Sequence, residues 1–309
     1  MHQIGAAQEP VRRWLPSGKW SAGNGMTSEQ APVYEQVIAA ARTQSALCKM
    51  IEARAGRGKT WLMNLIVATL RSESIVTLCV ASTALAAQNY PGGRTAHSQL
   101  CIPATDQRKR GEKVVCTLEL GTQHAAFLQE VRVIVWDEIY NSNRYDIEAV
   151  DRMLRDLMND PRPFGGKIMV FGGDRRQIPP VIPGAEPDTV ARSVISASPS
   201  IWVICDKTEL VHPVRDVDDP EYSRFVDSLG DNTVPVVPLV PGAHEATYGV
   251  ESKLCIVPHL ATPGGRRLSH TIDVDDGIRF VYPDLDRLLS HGAEFVHHAV
   301  ITTTNFEVT

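Results

Sequence analysis

No apolar run in the 309 residues approaches the ~20 that a membrane-spanning helix needs, so the sequence offers no transmembrane segment. The N-terminus has no apolar stretch of signal-peptide type, and Glu9 speaks against a mitochondrial presequence. The six cysteines (Cys48, Cys79, Cys101, Cys116, Cys205 and Cys255) include no pair at CxxC spacing, which excludes the usual zinc and dithiol motifs. Several lie in apolar runs, where a free thiol is a small buried hydrophobe, and this usage fits a reducing compartment. Excess positive charge is also missing. Lys and Arg number 31 against 36 Asp and Glu, for a formal net charge of −5, so any site for a polyanion must be a local groove. There is no internal repeat. What remains, 43% hydrophobic and 22% charged residues, is the balance of an ordinary globular chain, with length for one large domain or two smaller ones.

The chain is organised around residues 46–60, Ala-Leu-Cys-Lys-Met-Ile-Glu-Ala-Arg-Ala-Gly-Arg-Gly-Lys-Thr. An apolar-biased run ending at Glu52 predicts a strand. Ala53, Arg54, Ala55, Gly56, Arg57 and Gly58 predict a tight loop, and residues 61–70 predict a helix. Strand, loop and helix in this order are the setting of a P-loop, whose backbone N–H groups and helix N-terminus face phosphates. Lys59 is placed to reach the terminal phosphates of ATP, and Thr60 to ligate Mg²⁺. Ala53 stands where the usual pattern has its first glycine. Alanine disfavours positive φ, so a weakened loop is expected.

Upstream, residues 1–25 show no periodicity and read as a disordered tail. Thr27-Ser28-Glu29-Gln30 reads as the cap of a helix over 31–43. Taken locally, Gln30 is a solvated side chain at a helix start, although its amide has the donor and acceptor that adenine would match. Residues 74–81 predict a buried strand, 82–87 the start of a short helix, and 92–98 a polar loop past that strand's C-terminal end. Ligands of open α/β sheets bind at that edge. Thr95, His97 and Ser98 are of the types that bond a phosphate backbone, and His97 reads equally well as a loop residue bonded to its own backbone. Arg108-Lys109-Arg110 with Lys113 reads as a solvated basic loop.

A second strong strand over 131–136 delivers Asp137-Glu138. Adjacent carboxylates at the end of a buried strand, downstream of a P-loop, suit a Walker B role. Asp137 would hold Mg²⁺ through its water shell, and Glu138 would deprotonate the attacking water. Trp136 reads as core. An amphipathic helix over 147–158 and a turn over 161–166 lead to a third strand over 167–173, which ends in Asp174-Arg175-Arg176-Gln177. Gln177 is a neutral amide placed to sense a γ-phosphate. A fourth strand over 203–210 precedes His212-Pro213-Val214-Arg215, where Arg215 reads locally as a surface ion-pair residue. Residues 233–298 are Pro- and Gly-rich and irregular, and 299–305 read as a further core strand, so an unfinished domain is expected.

Together these stretches resemble the Pif-type (petite integration frequency) DNA helicases, and most of all the branch carried by Helitron transposons. Gln30 matches the adenine-reading glutamine, and residues 53–60 match the ATP loop. Residues 81–87 and 92–98 match segments that lie along single-stranded DNA. Trp136-Asp137-Glu138 matches the magnesium motif, and residues 163–178, through Gly172-Gly173-Asp174-Arg175-Arg176-Gln177-Ile178, match a long family signature. Arg215 falls where the family has Asn-Met-Arg, and residues 282–285 and 301–305 match the start of a second motor domain. Ala53, Ala84, Arg175, Pro179 and the residues before Arg215 depart from the pattern.

The resemblance implies an α/β P-loop NTPase with a RecA-like parallel sheet over 26–215. A connecting region over 216–298 and the first strand of an incomplete second RecA-like domain over 299–309 would follow. It implies ATP and Mg²⁺ as cofactors, single-stranded DNA or DNA junctions as partners, 5′-to-3′ unwinding, work in repair, recombination or telomere maintenance, and a monomer of nuclear or mitochondrial location. Lys59, Glu138, Gln177 and Arg215 would be catalytic, and Thr83, Arg94, Thr95 and His97 would touch DNA. A fragment that binds nucleotide or DNA without unwinding is the alternative.

Overall fold

The computed structural model describes residues 25–103, 114–182 and 184–214, with Ser223, Arg224, Asp227, Ser228 and Asp231. The expected tail before Gly25, the basic loop at Arg108, Lys109, Arg110 and Lys113, Arg215, nearly all of the expected connecting region and the expected terminal strand lie outside the described residues. The chain divides into two units, Met1–Ser223 and Arg224–Thr309. In the second, the Asp231 N–H donates to the Asp227 carbonyl at 3.0 Å.

The first unit begins with helix α1 (Gln30–Thr43). Thr27 and Gln30 cap it reciprocally. The Gln30 N–H donates to Thr27 Oγ1 at 3.3 Å, and the Thr27 N–H donates to Gln30 Oε1 at 3.1 Å. Strand β1 (Leu47–Ala53) feeds the P-loop and helix α2 (Lys59–Ser72). Then come β2 (Thr77–Ala81), the short helix α3 (Ala84–Ala87), β3 (Arg94–Thr95), α4 (Ala96–Gln99) and α5 (Gln123–Glu130). Strand β4 (Val133–Asp137), helix α6 (Arg144–Met158), strand β5 (Ile168–Gly173), the short α7 (Pro187–Ala191) and β6 (Asp206–Leu210) complete it.

The six strands form one sheet in the order β3-β2-β4-β5-β1-β6, with every pairing parallel. Parallel strands need crossover connections, so both faces are covered by helices and both must be apolar. The side-chain period of two then sorts each strand between two cores. Met50, Ile134, Trp136, Met169 and Phe171 face the core that includes Ile147, Val150 and Leu154 of α6. Their neighbours Ile51, Val133, Val135, Ile168 and Val170 face the core built with Val33 and Val37 of α1 and Leu62 and Ile66 of α2. Each such side chain, fully buried, contributes roughly 1.5–3 kcal/mol. One consequence is that Cys48 and Cys205, far apart in sequence, meet with their Sγ atoms 2.9 Å apart as free thiols.

The structure departs from the local strand reading at residues 92–98 and 203–205. Residues 92–98 are not a plain loop: Arg94 and Thr95 pair with Val80 and Ala81 of β2 as a sheet-edge strand, and α4 follows at once. The expected strand over 203–210 begins only at Asp206, because Trp202–Ile204 coil into a 3₁₀ turn. Val203 there is 71% exposed, so its apolar character reflects no buried face. Within the family-like signature, residues 163–167 are structural. Phe164 is buried in a left-handed conformation, and a Cβ on Gly165 (φ +63°) would fall 2.4 Å from the Leu154 carbonyl, so this turn closes against α6 only with glycine.

Candidate active site

The carboxyl ends of β1, β4 and β5 open onto a cleft of about 400 Å³ lined by Gln30, the 53–60 loop, Trp61, Glu138, Gln177 and Val214. Ligands of open parallel sheets bind in this crevice. The loop's shape comes from Gly56 and Gly58, both at φ +80°, and Val214 pins it by donating its N–H to the Gly56 carbonyl at 2.9 Å. Ala53 is the last residue of β1 and is not among the residues of positive φ. The backbone strain expected from alanine at this position is therefore absent.

Gln30 is not solvated. It is 2% exposed, and its Nε2 donates to the Arg57 carbonyl at 3.5 Å. A Cβ on Gly58 would lie 2.6 Å from that Nε2, so the glycine is needed for its conformation and also for Gln30's approach. Arg57 is itself buried and donates from Nη2 to the Ser223 hydroxyl at 3.2 Å, while Arg54 and Ala55 sit on the cleft wall.

At the helix N-terminus Lys59 is buried and forms an ion pair with Asp137 Oδ1, with Glu138 Oε1 at 3.4 Å. Asp137 is 1% exposed beneath it. Its Oδ1 also accepts the Glu138 N–H at 2.9 Å, and its Oδ2 accepts the Tyr90 hydroxyl at 2.7 Å. A triphosphate entering the cleft would compete with these carboxylates for the Lys59 ammonium.

Glu138 has φ +53°, a conformation rare for a side-chain-bearing residue and one that collects at functional sites. Burial, opposed by Lys59, pushes its carboxyl above the ordinary range. Its Oε2 is buried with no hydrogen-bond partner among the described residues. An unpartnered carboxylate oxygen on a polar cleft suits a base awaiting a water.

Thr60 and Asp137 present a hydroxyl and a carboxylate, the hard oxygen donors that Mg²⁺ prefers. Among the described residues no group of three or more His, Cys, Asp or Glu gathers as a metal cage. Two protein oxygens, with phosphate and water completing the shell, match how Mg²⁺ is held beside a nucleotide. Gln177 is exposed on the cleft after β5. Arg215 lies outside the described residues.

The four residues expected to touch DNA lie off this cleft's lining. Thr95 pairs with Ala81, two residues before Thr83, so both sit at the carboxyl end of the β2–β3 edge. Thr83 is exposed, and its hydroxyl already caps α3 by accepting from the Ala86 N–H at 3.2 Å. Arg94 is exposed, and His97 is 40% exposed with Nε2 3.9 Å from the buried Asp146 Oδ2. Ser82 and Tyr90 were missed by sequence reasoning. The Ser82 hydroxyl donates to the Glu138 carbonyl and also meets Ser142 Oγ at 2.7 Å. Their only signal was position, Ser82 inside the recognised 81–87 segment and Tyr90 between it and residues 92–98.

Known proteins resemble this chain in sequence and fold. The chain is 28% identical over 218 residues to the ATP-dependent DNA helicase PIF1 of Candida albicans, covering 68% of this chain and 23% of that one. It is 32% identical over 179 residues to the human ATP-dependent DNA helicase PIF1, covering 58% of this chain and 25% of that one. The aligned part is thus about a quarter of these curated relatives' length. The crystal structure of Candida albicans Pif1 superposes with a TM-score of 0.55 at 27% identity, over 68% of this chain and 45% of that one. Bacteroides Pif1 bound to ssDNA shares the fold with a TM-score of 0.55 at 21% identity, over 68% of this chain and 47% of that one. The six-stranded parallel sheet flanked by helices is a RecA-like P-loop fold. A family model described as PIF1-like helicase matches residues 25–231, well over half of the sequence, and the chain belongs to that family.

Proposed function

We propose that the chain carries the ATP-hydrolysing motor of a DNA helicase, with hydrolysis coupled to movement on single-stranded DNA. The observation that carries this reading is the convergence on one cleft of Lys59, Thr60, Glu138 and Gln177, with Asp137 directly beneath. Gln30 and the Arg57 carbonyl would face the adenine, and the 53–60 backbone and Lys59 the phosphates. Thr60 and Asp137 would hold a Mg²⁺, which neutralises charge on the phosphates. Glu138 takes the proton of the attacking water, Gln177 contacts the γ-phosphate, and Arg215 adds charge to it. Thr83, Arg94, Thr95 and His97 are proposed as contacts to the DNA backbone, so binding should weaken with salt and tolerate sequence changes.

Relatives named as DNA helicases and a fold neighbour described as bound to ssDNA support the substrate class. The 5′-to-3′ direction, the Helitron-type branch, roles in repair, recombination or telomere maintenance, a nuclear or mitochondrial site and a monomeric state are proposed from the family resemblance.

The test is Mg²⁺-dependent ATP hydrolysis by the 309-residue chain with and without oligo-dT, beside Glu138→Gln. Turnover stimulated by DNA and lost in the variant supports the motor. Nucleotide binding without turnover in either protein overturns it, and would leave a chain that binds and stays idle.

A further inference from the structure

Tyr90 lies in the turn between α3 and β3, outside every motif read from the sequence, yet its side chain reaches the centre of the site. The residue is 3% exposed. Its hydroxyl donates to Asp137 Oδ2 at 2.7 Å and lies 3.6 Å from Met63 Sδ. It therefore contacts the Asp137 carboxylate, one of the two side chains that offer oxygen to a cation. Asp137 Oδ1 is occupied by Lys59 and by the Glu138 N–H, so Tyr90 is the partner that fixes the other carboxylate oxygen.

The backbone of the same turn leads the other way. The Tyr90 carbonyl accepts the Gly93 N–H at 2.9 Å, and Arg94 then enters the sheet opposite Val80. The turn is also strapped to α2. Asn64 Nδ2 donates to the Thr60 carbonyl at 3.0 Å and to the Asn89 carbonyl at 2.9 Å, and Arg71 donates to the Pro91 carbonyl at 2.8 Å. A shift of Arg94 and Thr95 would thus be felt at Tyr90 and, through its hydroxyl, at Asp137.

We propose that Tyr90 is a positioning residue that holds the Asp137 carboxylate for a divalent cation and ties that carboxylate to the Arg94-bearing edge, so that cation affinity answers to single-stranded DNA bound there. The proposal rests on the motor reading above. Its test is the Mg²⁺ dependence of binding of a fluorescent ADP analogue, followed by anisotropy, with and without oligo-dT. Tyr90→Phe keeps the ring and removes only the hydroxyl. The half-saturating Mg²⁺ concentration should rise about five- to tenfold in the variant, the net effect of one ordinary hydrogen bond. Affinity in EDTA should hold. In the wild type oligo-dT should shift the Mg²⁺ curve, and in Tyr90→Phe that shift should vanish. In an Asp137→Asn background Tyr90→Phe should have no further effect, and circular dichroism would verify that each variant is folded. Tyr90→Leu, which keeps an apolar filling, should repeat the Mg²⁺ effect should the phenylalanine variant fold poorly. A wild-type Mg²⁺ curve in the folded variants overturns the proposal while leaving the motor reading intact. So does an effect that persists beside Asp137→Asn, or a wild-type curve that ignores oligo-dT. Nucleotide binding that is indifferent to Mg²⁺ in the wild type overturns both.

Discussion

The hydroxyl of Ser82 donates to the backbone carbonyl of Glu138 at 2.6 Å, and the Ser82 N–H donates to the Asp137 carbonyl at 3.2 Å. Ser82 follows β2 and Glu138 follows β4, so these bonds join the ends of two neighbouring strands just beyond their pairing at Ala81 and Asp137. Glu138 stands at φ +53°, where a side chain is strained, and such a conformation persists only when its surroundings over-determine it. The Ser82 hydroxyl is one of those determinants, and it aims the carboxylate at the cleft without touching any reacting atom.

Ser82→Ala should therefore lower turnover more than nucleotide affinity. A misaimed base costs about 1–2 kcal/mol, or roughly tenfold in kcat, while the 53–60 loop remains as it was. Steady-state ATP hydrolysis, with nucleotide affinity measured separately, checks the split. Equal losses in both would mean that the serine supports the whole cleft.

Glu138 sets a pH dependence. A base must be ionised to work, and burial raises this carboxyl above the ordinary glutamate value of about 4.3. Activity should therefore fall on the acid side at a pH above that value, as the raised group takes up its proton. Glu138→Gln should retain ATP binding and lose about 10²-fold or more in kcat. A pH–rate profile of the wild type and a binding curve of the variant check both expectations.

The runs that are apolar on both faces, residues 131–136 and 167–173, announced β4 and β5 because a central parallel strand must be buried on either side. The loop after β1 and the Asp137-Glu138 pair were legible for the same local reason, since each sits where a strand stops. Gln30 was not legible from its own neighbourhood, and only the family resemblance pointed to it. Its burial depends on the missing Cβ of Gly58, a contact between distant stretches that no window around residue 30 contains. Tyr90 and Ser82 hid likewise, since hydrogen bonds across the ends of strands leave no periodicity. Arg94 and Thr95 are too short a strand for alternation to register, and Val203 imitated a strand because an exposed valine looks like a buried one in sequence.

Lys59 and Asp137 are coupled in stability as well as in chemistry. Asp137 is 1% exposed and Lys59 is the cation beside it, so Lys59→Ala leaves a buried carboxylate without its charge partner. Breaking a buried pair from one side costs about 3–5 kcal/mol. Lys59→Ala should lower Tm as well as abolish nucleotide binding. Lys59→Ala with Asp137→Asn should recover much of the Tm and none of the binding. Thermal unfolding of the two single variants and the double variant closes the cycle. A double variant as unstable as Lys59→Ala would show that the ammonium's packing, not its charge, carries the loss.

Lys167 should shape stability at alkaline pH. Its ammonium is buried at the start of β5, donating to the Val131 carbonyl at 2.6 Å and the Gln129 carbonyl at 3.2 Å. Burial, with Arg132 nearby, pushes its pKa down to about 8 from the ordinary lysine value of 10.5. Between those two values the unfolded chain holds more protons than the folded one, so stability contributed through this group rises as pH increases across the window. Below about 8 both states are protonated, and the folded chain bears the unfavourable buried charge. Partial solvent screening reduces the full linkage to about 1–2 kcal/mol. Lys167→Met removes the titration, although it also leaves two carbonyls without their donor, so the slope is the informative quantity and not the absolute stability. Urea unfolding from pH 7.5 to 10.5 should show the wild type gaining on Lys167→Met as pH rises. Parallel curves for the two proteins would mean that the lysine keeps an ordinary pKa in the folded chain.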